Sequence, residues 1–168
     1  MLDRLRARRE SEQGFTLIEL MVVVLIIAIL VAIAIPTFLG ARDKANDRAA
    51  QSDLRNTLTA QKAYFADKQA YAAFNDADLV ASEPSITFVD TGAAALAKDN
   101  KVIVILATST GGTTNDTVIL GSRSSGGTCF WLRDVAKSGG GTGYQKVSGA
   151  CTDTAPTGTW ATSTSAGW

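Results

Sequence analysis

Histidine is absent from this chain of 168 residues, and cysteine occurs only twice. Without an imidazole there is no histidine base, no Ser-His or Cys-His pair and no histidine metal ligand. Two thiols are too few for a four-thiolate zinc centre. The 16 basic and 16 acidic side chains balance, which argues against a general attraction to nucleic acid or anionic lipid. We therefore predict a protein that is not an enzyme, with no catalytic residue, metal or cofactor.

Charge is distributed unevenly along the chain. Residues 1–14 have a net charge of +1, and residues 41–74 have a net charge of +2. Residues 15–40 contain one charged side chain, Glu19, and residues 75–168 have a net charge of −2. The sequence therefore divides into a charged N-terminal segment, an apolar segment, an amphipathic segment and a head domain.

An unbroken apolar run extends from Leu20 to Ile35. The longer stretch Phe15–Leu39 contains a single charge and, as a helix, would be about 37 Å long, enough to cross the roughly 30 Å hydrocarbon core of a membrane. Its apolar side chains would lie on every side, which is not the pattern of a water-soluble surface helix. We predict a transmembrane helix, with a buried core helix as the alternative.

Four basic residues flank the apolar segment on each side, so the positive-inside rule does not decide its orientation. A long C-terminal domain is translocated largely regardless of charge, which allows a head outside the cytoplasm. A cleaved signal peptide is a competing interpretation, because residues 32–34 (Ala-Ile-Ala) fit a small-x-small cleavage site. A cut there would place Pro36 second in the mature chain and would leave Glu19 without a role.

The run Gly14–Glu19 reads GFTLIE and leads into the apolar segment. Gly14 has no side chain, so an extended backbone can approach a protease cleft closely there. Glu19 is a carboxylate within a membrane-spanning segment, where an acidic side chain costs about 2.5–3.5 kcal/mol at the centre. The helix dipole would offset only about 0.3–1 kcal/mol of that cost, so a cationic partner is the better explanation.

This run resembles the processing site of type IV pilin precursors, and the resemblance is specific over about residues 9–70. It implies that residues 1–14 are a leader and that a prepilin peptidase cuts between Gly14 and Phe15. It also implies that the same enzyme methylates the new amine of Phe15. Glu19 would then pair with the amine of a neighbouring copy during assembly, because an isolated carboxylate in a low-dielectric bundle is penalised unless paired.

The apolar helix is expected to continue into residues 41–74, giving one helix from Phe15 to about residue 70. Leu54, Leu58, Gln61 and Phe65 recur at steps of three and four, which predicts a narrow stripe that packs against the head. In related pilins the helix is bent or locally unwound in the assembled filament. The resemblance therefore implies a kink at Pro36, which the nearby Gly40 makes easier.

The residues beyond 75 predict a small β-sheet. Apolar runs with strand-like composition are found at residues 85–90, 101–108, 117–120 and 128–135. Turn-rich segments separate or follow them, among them the glycine-rich run 138–143. Short strands with close turns favour an antiparallel meander, whose apolar face the long helix would cover. The predicted fold class is α+β: a long N-terminal helix packed against a small antiparallel sheet, as in the pilin fold.

Cys129 and Cys151 lie in the last predicted strand and in the tail that follows it. Pilins of this family often carry a C-terminal disulfide loop, so the resemblance implies a bridge between the two cysteines. A bridge that closes a loop of this length stabilises the fold by about 3 kcal/mol. Two free, buried thiols are the alternative.

With the resemblance, the sequence predicts a structural subunit of a type IV pilus that serves adhesion, surface motility or DNA uptake. The precursor would cross the inner membrane once with its head outside the cytoplasm, and the assembled pilus would be extracellular. The expected partners are the prepilin peptidase, further copies of the chain, the assembly platform and minor pilins. A pseudopilin of a type II secretion or competence system is the alternative, and a membrane-tethered extracytoplasmic binding domain is a further one.

Overall fold

A computed structural model of the chain describes residues 14–90, 101–137, 139–148 and 154–162. The chain divides into two compact units, Met1–Ala41 and Arg42–Trp168. In its described part the first unit consists of the N-terminal portion of a long helix. The second unit contains the rest of that helix, a short second helix and a five-stranded sheet.

Helix α1 extends from Leu17 to Lys68, 52 residues, close to the predicted Phe15 to about residue 70. It ends because Gln69 adopts a left-handed conformation (φ 58°), and the Gln69 N–H donates to the carbonyl of Phe65 at 2.8 Å. A left-handed residue directly after the last turn is a common way to end a helix. The amphipathic segment predicted for residues 41–74 is therefore helical only as far as Lys68.

One side of α1 is buried within the second unit. The fully covered side chains are spaced at steps of four, three and four, as one helix face requires: Ala50, Leu54, Thr57 and Gln61. Leu58 and Phe65, the other members of the predicted stripe, are half-buried at its margin and pack against the same core. The predicted contact between this half of the helix and the head is therefore confirmed.

A short helix, α2, spans Ala77–Ser82 and was not predicted. Asp76 caps it: the Asp78 N–H donates to an Asp76 carboxylate oxygen at 3.0 Å. The Tyr64 hydroxyl donates to the other Asp76 oxygen at 2.9 Å, so the cap is also tied to α1. Six residues with a single fully buried side chain, Leu79, give too little periodicity to predict a helix from sequence.

The sheet has five strands in sequential order. They are β1 (Thr87–Val89), β2 (Lys101–Ala107), β3 (Thr117–Arg123), β4 (Thr128–Val135) and β5 (Gly141–Ser148). Strands β2 to β5 are joined as an antiparallel meander, as the turn-rich segments between them predict. The predicted α+β class, with a long helix and a small, mostly antiparallel sheet, is confirmed.

Two details of the sheet differ from the prediction. Strand β1 pairs with β2 in parallel, with Thr87 opposite Lys101, so a purely antiparallel meander was wrong at this edge. Parallel neighbours need a crossover connection, not a tight turn, and the connecting residues 91–100 lie outside the described ranges. Strand β5 was not predicted, because its first residues belong to the glycine-rich run that indicates a turn.

The two faces of the sheet carry different apolar sets, because successive side chains of a strand point to opposite faces. One set packs with α1 in the main core: Val102, Val104, Val118, Leu120, Phe130 and Leu132. The other face carries a second cluster built on Ile103, Cys129 and Trp131. Gly121 lies opposite Trp131 on β3, and a β-carbon there would come within 2.6 Å of the Trp131 ring. A glycine at this position is therefore what allows the large indole to lie flat on the sheet.

Candidate functional site

The first turn of α1 is closed by a reciprocal pair of side-chain bonds between Thr16 and Glu19. The Glu19 N–H donates to Thr16 Oγ1 at 3.2 Å, and the Thr16 N–H donates to Glu19 Oε2 at 2.9 Å. The Thr16 hydroxyl donates to the same carboxylate oxygen at 2.7 Å. This is a capping box, in which Thr-x-x-Glu satisfies two backbone groups that the helix start leaves unpaired. Glu19 is therefore held in place by its own helix, and among the described residues its second oxygen, Oε1, has no donor.

Sequence reasoning missed Thr16, although the Thr-x-x-Glu spacing before an apolar run is a known signal for a capping box. It singled out Gly14, Phe15 and Glu19. Gly14 and Phe15 precede the cap and are exposed, Phe15 to 87%. A β-carbon built on Gly14 meets no atom within 4 Å, so the fold itself does not require glycine there. The three predicted residues lie within the six-residue run 14–19, in which the helix begins at Leu17.

The apolar part of α1 exposes large hydrophobic side chains on every side. Seventeen of them between Leu17 and Leu39 are at least 45% exposed, as is Phe15 just before the helix. By length and composition α1 could cross a membrane. Exposed apolar surface on this scale requires a lipid or protein environment, because water-soluble monomers rarely expose patches of more than a few hundred Å².

Pro36 lies inside the apolar part of α1, which continues without interruption through Pro36 and Gly40. A proline has no N–H, so the carbonyl four residues earlier, that of Ala32, loses its helical donor. The Thr37 hydroxyl donates to the carbonyl of Ala34 at 2.9 Å and thus adds one bond at the weakened turn. The kink expected at Pro36 and Gly40 stays a prediction.

The second unit fixes the end of α1 to the head through Gln61. This side chain is fully buried, and its amide makes both possible bonds to the backbone of Ala72. Gln61 Nε2 donates to the Ala72 carbonyl at 2.9 Å, and the Ala72 N–H donates to Gln61 Oε1 at 2.8 Å. Because both the nitrogen and the oxygen of this buried amide are hydrogen-bonded, the Gln61 side chain holds the chain reversal that follows the helix.

A buried carboxylate, Asp134 on β4, joins α1, the segment after it and β5. Asp134 is 4% exposed. The Tyr71 hydroxyl donates to Asp134 Oδ2 and the Thr142 hydroxyl to Oδ1, both at 2.5 Å, while Lys62 Nζ lies 3.2 Å from Oδ1. Burial, together with the bond to Asp134, raises the pKa of Tyr71 well above its usual range. The tyrosine therefore remains neutral and keeps donating to the carboxylate at all physiological pH values.

A second buried carboxylate, Asp116, shapes the loop between β2 and β3. It accepts from the Ser109 hydroxyl at 2.5 Å and from the Ser109 N–H at 2.7 Å. These bonds lower the pKa of the Asp116 carboxyl. Gly112 lies against the same carboxylate, where a β-carbon would overlap with an Asp116 oxygen. The loop therefore depends on an ionised Asp116 and on the absence of a side chain at residue 112.

Acid should destabilise the head partly through Asp116. Because the pKa of Asp116 is lower in the folded chain than in the unfolded chain, its stabilising effect is complete above about pH 4 and is lost as the pH falls below that value. We expect Asp116→Asn to lose less stability between pH 5 and pH 3 than the wild type does. Urea unfolding of the full chain in detergent, followed by tryptophan fluorescence, measures this difference. The control is Asp67→Asn, at an exposed residue. If Asp116→Asn lost as much stability in acid as the wild type does, Asp116 would not be a source of the acid sensitivity.

The described residues hold no group of three or more His, Cys, Asp or Glu side chains that could bind a metal ion. Cys129, on β4, is fully buried and is not a free thiol. Cys151 lies outside the described ranges, so the predicted Cys129–Cys151 bridge stays a prediction.

An apolar helix long enough to cross a membrane, with a capped carboxylate at its start, continues into an amphipathic half that packs on a small sheet; this architecture is the class to which the comparisons apply. The prokaryotic N-terminal methylation motif matches residues 9–35, which contain the capping box and the whole apolar run Leu20–Ile35. No solved structure matches the chain.

Three relatives narrow the class. The type IV major pilin protein PilA of Myxococcus xanthus is 48% identical over 62 residues, 37% of this chain and 28% of the relative. The type IV wide pilus major component PilA4 of Thermus thermophilus is 38% identical over 89 residues, 51% of this chain and 68% of the relative. The type II secretion system core protein G of Klebsiella michiganensis is 39% identical over 64 residues, 38% of this chain and 45% of the relative.

The chain belongs to the type IV pilin family, and its function is that of a pilin or a pseudopilin. The match spans less than half of the Myxococcus and Klebsiella relatives. These relatives are structural subunits, which confirms the prediction that the chain is not an enzyme. The family predicted from the run Gly14–Glu19 is likewise confirmed.

Proposed function

We propose that this chain is the subunit of a type IV pilus. It is inserted into the inner membrane as a precursor, with residues 15–40 crossing the bilayer and the head, residues 75–168, outside the cytoplasm. The prepilin peptidase removes residues 1–14 and methylates the amine of Phe15. The mature chain then polymerises with further copies on an assembly platform that also handles minor pilins, and the product is an extracellular filament for adhesion, motility or DNA uptake.

The observation that carries this proposal is the exposed apolar half of α1 with one carboxylate at its start. In the precursor, lipid covers these side chains; in a filament, the helices of other copies replace the lipid. Glu19 is the group that distinguishes this helix from a simple anchor, since a carboxylate in hydrocarbon is costly unless it has a partner. Cleavage after Gly14 creates such a partner, the amine of Phe15 on a neighbouring copy.

The capping box is compatible with this pairing. The backbone N–H and the hydroxyl of Thr16 both donate to Oε2 of Glu19, so Oε1 can accept from an amine without loss of the cap. Cleavage before Phe15 leaves the Phe15–Thr16 peptide bond intact, so the Thr16 N–H persists in the mature chain. The same carboxylate can thus close its own helix and bind the next subunit.

The N-terminus of the mature chain tests the processing step. We expect mass spectrometry of chain purified from membranes to find a first residue Phe15 that carries one extra methyl group. The matched control is Gly14→Leu, which adds a side chain where the backbone must enter the protease and should therefore remain uncut. An intact Met1, or a chain that starts at Ile35 after signal-peptide cleavage, would contradict the proposal.

A pseudopilin of a type II secretion or competence system is the second candidate, favoured by the similarity to the secretion protein of Klebsiella michiganensis. The pilus interpretation is supported by the Thermus pilus component, of which the match spans 68%, whereas the matches to the secretion protein and to the Myxococcus pilin each span less than half of the relative. Shearing the cells separates the two candidates. An abundant extracellular fibre whose main band is this chain indicates a pilin, and a chain that stays in the cell envelope indicates a pseudopilin.

A further inference from the structure

Four basic residues line one exposed side of α1 within the second unit. They are separated by four, seven and seven residues, so they remain on one side of a helix that turns 100° per residue: Lys44, Arg48, Arg55 and Lys62. We call them the basic stripe. Their side chains are exposed, and the stripe extends over about 27 Å of helix. Asp43, Asp47 and Asp53 lie on the same part of the helix, and Asp47 accepts from the Ser124 hydroxyl, in the turn after β3, at 2.6 Å.

Charge of the opposite sign is concentrated in the segment that follows the helix. Residues 69–90 contain four acidic residues and no lysine or arginine: Asp76, Asp78, Glu83 and Asp90. We call residues 76–90 the acidic segment. Asp78 is exposed and Glu83 is half-exposed, so their carboxylates can be reached from outside the molecule.

The two charged surfaces lie on opposite flanks of the same subunit. Lys62, in the basic stripe, contacts Asp134 on β4 and Thr142 on β5. Tyr64, two residues later and therefore on another side of the helix, contacts Asp76 at the start of the acidic segment. The basic stripe thus borders the β5 edge of the sheet, and the acidic segment borders the side of the helix away from it.

We propose that the basic stripe of one copy binds the acidic segment of the next copy in the filament, an inference that rests on the proposed function. Two different surfaces that complement each other form a heterologous contact, and such contacts repeat into an open polymer unless they close into a ring. Opposite flanks suit this geometry, because each subunit presents its acidic segment to one neighbour and its basic stripe to the other. Complementary charge also fixes the register in which neighbours meet.

A second copy explains the stripe better than an anionic membrane surface does. At physiological salt the field of a flat charged surface decays over about 8 Å, less than a third of the length of the stripe. A membrane at one end would therefore attract only the nearest cations. A segment with complementary charge on another subunit can lie along several of them.

Paired charge reversals test the proposal in cells that assemble the full chain. The variants are Lys44→Glu with Arg48→Glu, Asp78→Lys with Glu83→Lys, and all four together. Since like charges placed opposite each other cost several kcal/mol, we expect each double variant to lower the filament recovered by shearing by about tenfold or more. The quadruple variant should recover most of the wild-type yield, because the contact is restored with its signs exchanged.

The matched control compares two single variants on one helix, Arg48→Glu and Arg42→Glu. Arg42 is also exposed but lies outside the stripe. We expect the first variant to lower filament yield and the second to leave it unchanged. Carbodiimide cross-linking of wild-type filaments should join Lys44 of one copy to Asp78 or Glu83 of another, identified by mass spectrometry of the dimer band.

Normal yield from either double variant, or a quadruple variant as poor as the doubles, would overturn the inference. The proposed function is judged separately: if wild-type cells make no filament of this chain, that proposal is wrong. If filaments form but ignore the reversals, only the charged contact is wrong.

Discussion

Replacing Glu19 with alanine should abolish filament formation while the chain still accumulates in the membrane. The apolar run that drives insertion is unchanged by the substitution, so the membrane level of the chain should remain close to wild type. In the proposed function, what is lost is the acceptor for the amine of the neighbouring copy, and with it the register that this ion pair would impose. We expect the sheared fraction to fall by about a hundredfold or more, since breaking a buried pair costs about 3–5 kcal/mol.

Two further variants separate the charge of Glu19 from its role in the capping box. Glu19→Gln retains an oxygen that can accept from Thr16 but has no charge, so it should fail to assemble like the alanine variant. Thr16→Ala removes the cap, at a cost of about 0.5–2 kcal/mol, but keeps the carboxylate, so it should still form filaments at reduced yield. Wild-type filaments from Glu19→Gln would show that the residue acts through the cap alone and would exclude the ion pair.

The parts of the fold that follow from local pattern were predictable. Helix α1 was identified over nearly its whole length, because an unbroken apolar run and the stripe of Leu54 and Gln61 are strong signals within one helix. Strand β4 was predicted with its observed bounds, Thr128–Val135, because β-branched and aromatic residues lie between two turn-rich segments.

The errors in the sheet arise where partners decide the structure. Nothing in the three residues of β1 specifies a parallel partner, since strand direction depends on the path of the connection that follows. The glycine-rich start of β5 reads locally as a turn. It forms a strand because β4 supplies its hydrogen bonds and because Gly143 leaves room for Trp160, which would lie 2.9 Å from a β-carbon there.

The candidate functional residues also divide into those that local sequence identifies and those that only the folded chain brings together. Gly14, Phe15 and Glu19 were identified because they lie within one six-residue run at the start of the apolar segment. Glu19 is the single charge in that segment. Thr16 was missed although its signal is equally local. The network around Asp134 could not be predicted, because Tyr71 precedes it by 63 residues and Lys62 by more, and only the folded chain brings these groups together.

Removing the carboxylate of Asp134 should destabilise the head more than most single substitutions do. In Asp134→Ala the buried Tyr71 hydroxyl and the Thr142 hydroxyl lose their acceptor, while Lys62, half-exposed, can be solvated by water. We expect the free energy of unfolding to fall by about 2–4 kcal/mol. This loss is smaller than the loss from breaking a fully buried ion pair, because water can solvate Lys62 once the carboxylate is gone. Urea unfolding of the full chain in detergent, with tryptophan fluorescence as the signal, measures the loss.

A double-mutant cycle with Tyr71→Phe separates the hydrogen bond from the cavity that alanine creates. If the hydroxyl is costly mainly because it becomes unpaired, the double variant should be more stable than the sum of the two single losses predicts, by about 0.5 kcal/mol or more. The conservative Asp134→Asn should lose less than alanine, because the amide oxygen still accepts one of the two hydroxyl bonds. Strictly additive losses would contradict the coupling of Tyr71 to Asp134. A loss below about 0.5 kcal/mol in Asp134→Ala would mean that α1 is held to β4 and β5 by the apolar core alone, because substitutions without a structural role usually fall within that range.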